Sequence, residues 1–395
     1  MEVKPGYKQT EVGVIPEEWE CHALDDSIDL LTGYPFPSSG YSNSGVRLLR
    51  CSNVNRGVTN WSEEATRFWP KVTLDIRRYV LKAGDIVVAM DGSLVGRSFA
   101  MLSENDLPAI LLQRVARIRS ECIKQKFLKA WICSDIFTKH CDSVKTITAI
   151  PHISPADIKS FIIAIPPTLA EQEAIAEALS DADTLIESLD QLIAKKRNLK
   201  EGAMQELLTG KKRLPEFSGE WEMKQLGEIA FVNKGSQLHI VDASEHGRFA
   251  HLNGGITPSG YTDKSNTPAN TIAISEGGNS CGYVQFMFEP FWCGGHCYAV
   301  IPNGVDNNFL FHALKENESS IMRLRVGSGL PNIQKNDLLE FELRCPTNHD
   351  EQTAIATILS DMDTEIAELE AKLAKVRQIR QGMMQELLTG RIRLV

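Results

Sequence analysis

The stretch Glu171-Gln-Glu-Ala-Ile-Ala-Glu-Ala-Leu-Ser-Asp-Ala-Asp-Thr184 occurs a second time, as Glu351-Gln-Thr-Ala-Ile-Ala-Thr-Ile-Leu-Ser-Asp-Met-Asp-Thr364. The match runs on to Gln205-Glu-Leu-Leu-Thr-Gly210 and Gln385-Glu-Leu-Leu-Thr-Gly390. Residues 171–214 and 351–394 align without a gap, and 25 of the 44 positions are identical. A repeat at this long period marks two similar halves, not a solenoid.

The apolar residues of the repeat fall at helical spacing. They are Ile175, Leu179, Ala182, Ile186, Leu189 and Ile193 in the first copy. In the second they are Ile355, Leu359, Met362, Ile366, Leu369 and Leu373. Steps of four and three make the seam of a coiled coil. Thr168 and Asn348 stand three residues before Glu171 and Glu351, the pattern of a capping box. Gly210 and Gly390 supply the stops. A helix of about 40 residues is roughly 60 Å long. One such helix cannot bury its own stripe; two in one chain are expected to bury each other's.

The heads before the helices share their edges. Glu18-Trp19-Glu20 matches Glu220-Trp221-Glu222 at an offset of 202, while Pro151, Ile153, Asp157 and Phe161 match Pro331, Ile333, Asp337 and Phe341 at 180. The first head is therefore 22 residues longer in its interior. Short apolar runs bounded by turn residues read as strands: Val46–Arg50, Asp85–Ala89, Thr271–Ile274 and Tyr298–Ile301. Helices are expected at Gln125–His140 and Asn308–Glu316. The division is residues 1–165, first head; 166–214, first long helix; 215–345, second head; 346–395, second long helix. The expected fold class is α+β, with two mixed α/β, β-rich heads separated by two long helices.

The chain has 395 residues and a net charge of −9. That balance argues against a uniformly basic nucleic-acid binder. By segment the first head carries 20 Lys/Arg against 19 Asp/Glu, and the second 9 against 15. No apolar run is long enough for a membrane span. Nine cysteines without framework spacing fit reduced thiols, and the expected location is the cytoplasm.

The sequence carries no recognisable catalytic motif. Gly92-Ser-Leu-Val-Gly96-Arg97 has one residue too few between its glycines, and Arg in place of Lys, for a Walker A loop. Cys281, Cys293, His296 and Cys297 lack two well-spaced ligand pairs for zinc. No Asn/Asp-Pro-Pro-Tyr/Phe stretch of an amino-methyltransferase occurs, so recognition or assembly is the expected role, not catalysis. The competing readings are a structural coiled-coil scaffold and an enzyme with an unrecognised site. Polar residues in the Gly-rich loops are candidate base readers: Tyr34, Ser38, Ser39, Tyr41, Arg50, Ser52, Asn53 and Arg97 in the first head, Lys234, Gln237, His239, His251, Asn253 and Asn279 in the second. Such groups bond base edges, Arg favouring guanine and Asn or Gln adenine.

The order head, long helix, head, long helix, with Tyr7-Lys-Gln-Thr-Glu-Val-Gly-Val-Ile-Pro-Glu-Glu-Trp19 and the paired Gln-Glu-Leu-Leu-Thr-Gly ends, resembles the specificity (S) subunit of type I restriction–modification systems. The resemblance implies that each head is a target recognition domain reading one half of a split sequence in double-stranded DNA. It implies that the two helices lie antiparallel with approximate two-fold symmetry, fix the gap and dock two methyltransferase subunits, with a restriction/translocase subunit completing the complex. S-adenosylmethionine, ATP and Mg would then belong to partner subunits, leaving this chain without cofactor, metal or catalytic residues.

Overall fold

A computed structural model gives the fold and describes residues 4–239, 242–327, 329 and 331–394. The chain forms two compact units, Met1–Ser188 with Leu373–Val395, and Leu189–Lys372. This division cuts each long helix near its middle, so each unit holds one head, the start of one long helix and the end of the other.

The first head opens with the hairpin β1 (Tyr7–Thr10) and β2 (Gly13–Pro16), then β3 (Glu20–Ala23) and β4 (Asp29–Thr32). There follow β5 (Val46–Leu49), β6 (Arg56–Gly57), β7 (Phe68–Trp69), β8 (Ile86–Ala89), β9 (Phe99–Met101), β10 (Ala109–Leu111) and β11 (Val115–Arg119). Helices α1 (Gln125–Ile132), α2 (Asp135–Val144) and α3 (Pro155–Lys159) lead to β12 (Ile162–Ile165) and the long α4 (Leu169–Leu207). The single helix expected over Gln125–His140 is broken, because Ser134 turns out of the helix and its hydroxyl accepts from Phe137 N to cap α2.

The second head comprises β13 (Trp221–Gln225), α5 (Leu226–Ile229), β14 (Ala230–Lys234), β15 (Phe249–Leu252), β16 (Gly260–Thr262), β17 (Thr271–Ser275), β18 (Val284–Met287), β19 (Phe291–Cys293) and β20 (Cys297–Pro302). Then come α6 (Asn307–Glu316), α7 (Glu318–Arg323), α8 (Lys335–Leu339), β21 (Glu342–Pro346) and the long α9 (His349–Leu388).

The heads repeat one plan. Strand order β4-β11-β8-β9-β6 in the first answers β14-β20-β17-β18 in the second. Likewise β10-β5-β7 answers β19-β15-β16, with a parallel pair at the same place in each. Thus Tyr298–Ile301 corresponds to Val115–Arg119, a strand the periodicity did not reveal. It is buried on both faces and so lacks alternation, and its apolar run is interrupted by Arg117, a buried cation that reaches Asp29 at 2.6 Å.

The first unit's core gathers Trp19, Phe127, Trp131, Phe137 and Phe161. It takes in Ile175 and Leu179 from α4 and Met384, Leu387 and Leu388 from α9. The second unit does the same with Phe309 and Leu310, with Ile355 and Leu359 from α9, and with Met204 and Leu207 from α4 and Leu208 just past its end. Each fully buried side chain of this kind contributes roughly 1.5–3 kcal/mol. The opening residues of each seam therefore serve a head core. Leu189, Ile193, Ile366 and Leu373 are buried further along, and Ala182, Ile186, Met362 and Leu369 are half-buried.

Within each unit the helix segments run antiparallel. In the first, Asp183 meets Arg380 at 2.8 Å; in the second, Lys196 meets Glu365 at 2.6 Å and Lys200 meets Asp363. The first capping box is only half formed, and in the second Asn348 Oδ1 accepts from Asp350 N at 2.8 Å in place of Glu351 N. Thr168 Oγ1 accepts from Glu171 N at 3.2 Å, but the Glu171 carboxylate is taken by Arg393, which also reaches Glu18. In the second unit Glu351 is held bidentately by Arg213 at 2.6 and 2.7 Å. Both carboxylates are buried, and a charge-assisted pair outcompetes a bond to the N-cap residue's backbone N–H. Gly210 and Gly390 end the helices in the left-handed region, at φ 68° and 65°. Among the described residues no helix is long and apolar enough to cross a membrane.

Candidate nucleic-acid interface

In each head the central sheet ends in a cluster of exposed polar loops, built on the same backbone frame. In the first head β8 runs into the turn Asp91–Gly92, where Gly92 has φ 104° and its N–H donates to Pro151 O at 3.0 Å. Asp91 bridges to His152. In the second head Gly278 N–H donates to Pro331 O at 3.0 Å, and Gly277 bridges to Asn332. The residue before the next strand closes each frame: Met90 N–H donates to Arg114 O, and Glu276 N–H to His296 O, both at 2.9 Å. Met90 and Glu276 are therefore equivalent, as are Arg114 and His296.

The first cluster centres on Arg114. It is one of two described non-glycine residues at positive φ, 70°, a conformation costing about 1 kcal/mol. The strain is held by the bond from Met90, by Cys51 Sγ donating to Arg114 O, and by the ion pair to Asp91. The guanidinium stays 65% exposed beside exposed Gln113 and His152, and His152 Nδ1 lies 2.9 Å from Thr146 Oγ1. Tyr34 joins through its backbone, its carbonyl accepting from Gln113 N–H at 3.0 Å.

The second cluster centres on Glu276, buried where its twin is methionine. Lys234 Nζ reaches one carboxylate oxygen at 2.5 Å, and His296 Nδ1 lies 3.7 Å from the other. Tyr298, whose hydroxyl donates to Ile333 O, is pushed up by burial and then by Glu276. A Cβ built on Gly294 would lie 2.6 Å from Asn253 Oδ1 and 2.8 Å from His251 Nε2; one on Gly295 would lie 3.3 Å from Gln237 Oε1. Those three side chains thus crowd over a bare glycine backbone. Among the described residues His251 Nε2 is buried without a partner, and burial lowers the imidazole's pKa.

The structure sorts the candidate readers. Lys234, Gln237, His251 and Asn253 fall together around Glu276 and His296, and exposed Asn279 adjoins Ser280, whose hydroxyl donates to Gly254 O at 2.7 Å. His239 is exposed in the loop after β14. In the first head Ser38 and Ser39 are exposed in a short turn, whereas Tyr41 packs against the core. Arg50 is spent on Ser52 Oγ and Ala65 O. Asn53 is wholly buried, its amide donating to Asn60 O and Ala65 O and accepting from Arg50 N. It shapes the loop and has no group left for a base. Arg97 grips Asp142 bidentately at 3.1 and 2.7 Å, holding that carboxyl at about 2. Cys281, Cys293 and Cys297 are buried in apolar clusters. Arg114, Gln113 and His152, exposed in the first cluster, are not among the candidates named from the sequence. Pairing the two heads strand by strand would have placed Arg114 opposite His296.

The family profile for the type I restriction modification DNA specificity domain matches residues 16–195 and 218–378. The MjaVIII specificity subunit of Methanocaldococcus jannaschii is 35% identical over 213 residues, 53% of this chain and 49% of that one. The EcoAI specificity subunit of Escherichia coli is 32% identical over 182 residues, 45% of this chain and 30% of that one. The matched stretches thus span about half and about a third of those relatives. A crystal structure of a type I S subunit from M. genitalium has the same fold, with a TM-score of 0.70 at 21% identity over 98% of both chains.

Proposed function

Because this chain belongs to the type I restriction modification DNA specificity domain family, we propose that each of its heads reads one half of a bipartite duplex target through the loop cluster at its central sheet. The observation that carries this is the pairing of the clusters. One backbone frame recurs in both heads, but Asp91, Gln113, Arg114 and His152 furnish one, and Lys234, Gln237, Asn253, Glu276 and His296 the other. A shared frame with different polar groups is what two different half-sites require. Arg114 and Gln113 are the base readers of the first head; Asn253, Gln237 and His296 are those of the second.

The long helices act as spacer and as docking surface for two methyltransferase subunits. Each runs unbroken from one unit into the other. Leu185, Leu192 and Leu199 stand exposed at intervals of seven, an apolar row suited to a partner helix. A related structural study, with a TM-score of 0.58, concerns complex assembly and conformational transition of the type I R-M system. Catalysis, S-adenosylmethionine, ATP and Mg belong to the partner subunits in this reading, including a restriction/translocase subunit.

Mapping methylated adenines in a host with and without this gene is the test. A split motif that vanishes on deletion, and changes in only one half when residues 215–345 are exchanged for another head, is the expected result. Methylation that survives deletion would overturn the proposal. An unchanged motif after the exchange would leave only a scaffold role.

A further inference from the structure

The connection between β7 and β8 in the first head differs in kind from its counterpart. It runs from residue 70 to 85 and contains Lys71, Arg77, Arg78 and Lys82. With Arg119 these cations line an open cleft of about 1090 Å³ that has no acidic lining residue. Arg119 is neutralised by Asp85, which is buried. The other four are exposed, and among the described residues none of them pairs with a carboxylate. Arg78 is held ready: its guanidinium lies 4.8 Å from the Tyr79 ring centroid and donates to the Tyr79 hydroxyl at 2.6 Å. Leu74 stands 86% exposed in the same lining, which a face built only for solubility would not need.

In the second head the matching connection, between β16 and β17, spans only residues 263–270. Its one cation, Lys264, is paired to Asp242 at 2.7 Å. The first head as a whole is nearly neutral, so this concentration of unpaired charge is local, not a general bias of composition.

We propose that the Lys71–Lys82 cleft grips the phosphate backbone of duplex DNA without reading sequence, and that the second head has no equivalent grip. The inference rests on the DNA-reading function proposed above, but it concerns a different surface. Four cations converging on one cleft free of acids suit a run of phosphates. Guanidinium and ammonium groups bond phosphate oxygens whatever the base, and each phosphate neutralised steepens the salt dependence of binding by about 0.9 in log–log slope.

The test uses the full chain assembled with its methyltransferase subunits. Dissociation constants are measured from 50 to 200 mM salt for a duplex bearing the methylated motif and for a scrambled duplex. The variant Lys71→Gln/Arg77→Gln/Arg78→Gln/Lys82→Gln is expected to flatten the salt slope by about 2 to 3 on both duplexes and to leave the methylated motif unchanged. The pair Arg77→Gln/Lys82→Gln, both at exposed positions, should give about half that change if the fourfold variant folds poorly. Lys264→Gln should leave the slope where it was. An unaltered slope in either cleft variant would overturn the proposal. So would loss of the methyltransferase subunits from the assembly, which would make the cleft a contact for an acidic protein face. Wild-type assembly binding both duplexes equally would instead count against sequence reading itself, and the scrambled duplex would still decide the cleft.

Discussion

The two units solve one packing problem in two ways. Lys124 N–H donates to Gln172 Oε1 at 2.9 Å, and Asp306 N–H to Gln352 Oε1 at 2.8 Å, which aligns α1 with α6 and sets Ala130 against His312. The small Ala130 leaves a cavity of about 260 Å³ among Lys129, Asp183 and Arg380. His312 instead fills its site, with Nε2 lying 3.2 Å from Ser360 Oγ. The surrounding frame is kept in both: Asp183 and Arg380 in one unit recur as Asp363 and Lys200 in the other. What is repeated is the arrangement of buried charge at the helix ends and junctions. What varies is volume within the head and polarity at its loops. A frame fixed by a few directional contacts can carry changing interiors, which suits a protein whose heads are to differ.

The comparison breaks first at the buried carboxylates. Arg213→Ala strands Glu351, and Arg393→Ala strands Glu171, so each should cost about 3 kcal/mol in denaturant unfolding. Equal losses would show the two frames to be equivalent; a loss in only one would show that the repeat of sequence is not a repeat of energetics.

Acid should separate the units next. Burial is the main cause that lowers the His312 pKa to about 4, with the Lys200 charge adding to it and Asp363 and Asp306 opposing. In the unfolded chain a histidine titrates near 6.5. Between these values the unfolded chain binds the extra proton, so stability falls as pH drops through that window and levels off below it. About 2 kcal/mol should be lost between pH 7 and 5. His312→Ala should abolish that loss, which unfolding curves at the two pH values would measure.

Specificity gives a smaller effect. Arg114→Ala should lower discrimination at one position of the first head's half-site by about tenfold and leave the other half-site untouched, as read by methylation rates on single-base variants. Equal relaxation of both halves would assign Arg114 to the backbone. Smallest is the difference between the terminal glycines. A Cβ on Gly390 would lie 2.6 Å from Pro16 Cδ, whereas one on Gly210 would first meet the Trp221 ring at 3.3 Å. Gly390→Ala should therefore exceed Gly210→Ala by about 1 kcal/mol in unfolding free energy.

The long helices were legible because a stripe repeated at fixed spacing survives without knowledge of the partner. Their first turns were less so, since Glu171 and Glu351 meet arginines from beyond the opposite helix's end, which local capping patterns do not register. The loops were legible by composition only. Asn53 and Arg114 are both polar residues near turns, yet one is wholly enclosed and the other exposed. Burial and a positive φ decide that difference, and neither follows from spacing. The cationic connection after Trp69 lay in the extra length of the first head and could be counted, but only the fold shows that its charges share one cleft.

The composition of the units also bears on how the protein is made. The second unit is one unbroken run, Leu189–Lys372, complete as soon as that run has left the ribosome. The first unit begins at the N-terminus but requires Leu373–Val395, which place Arg393 on Glu171 and bring Gly390 O within 3.3 Å of the Tyr7 hydroxyl. The half synthesised first must therefore wait, with part of its core open, for the segment from Leu373 onward. Birth order and completion order are reversed, and translation that stops short of Leu373 would yield a finished second half and an unfinished first.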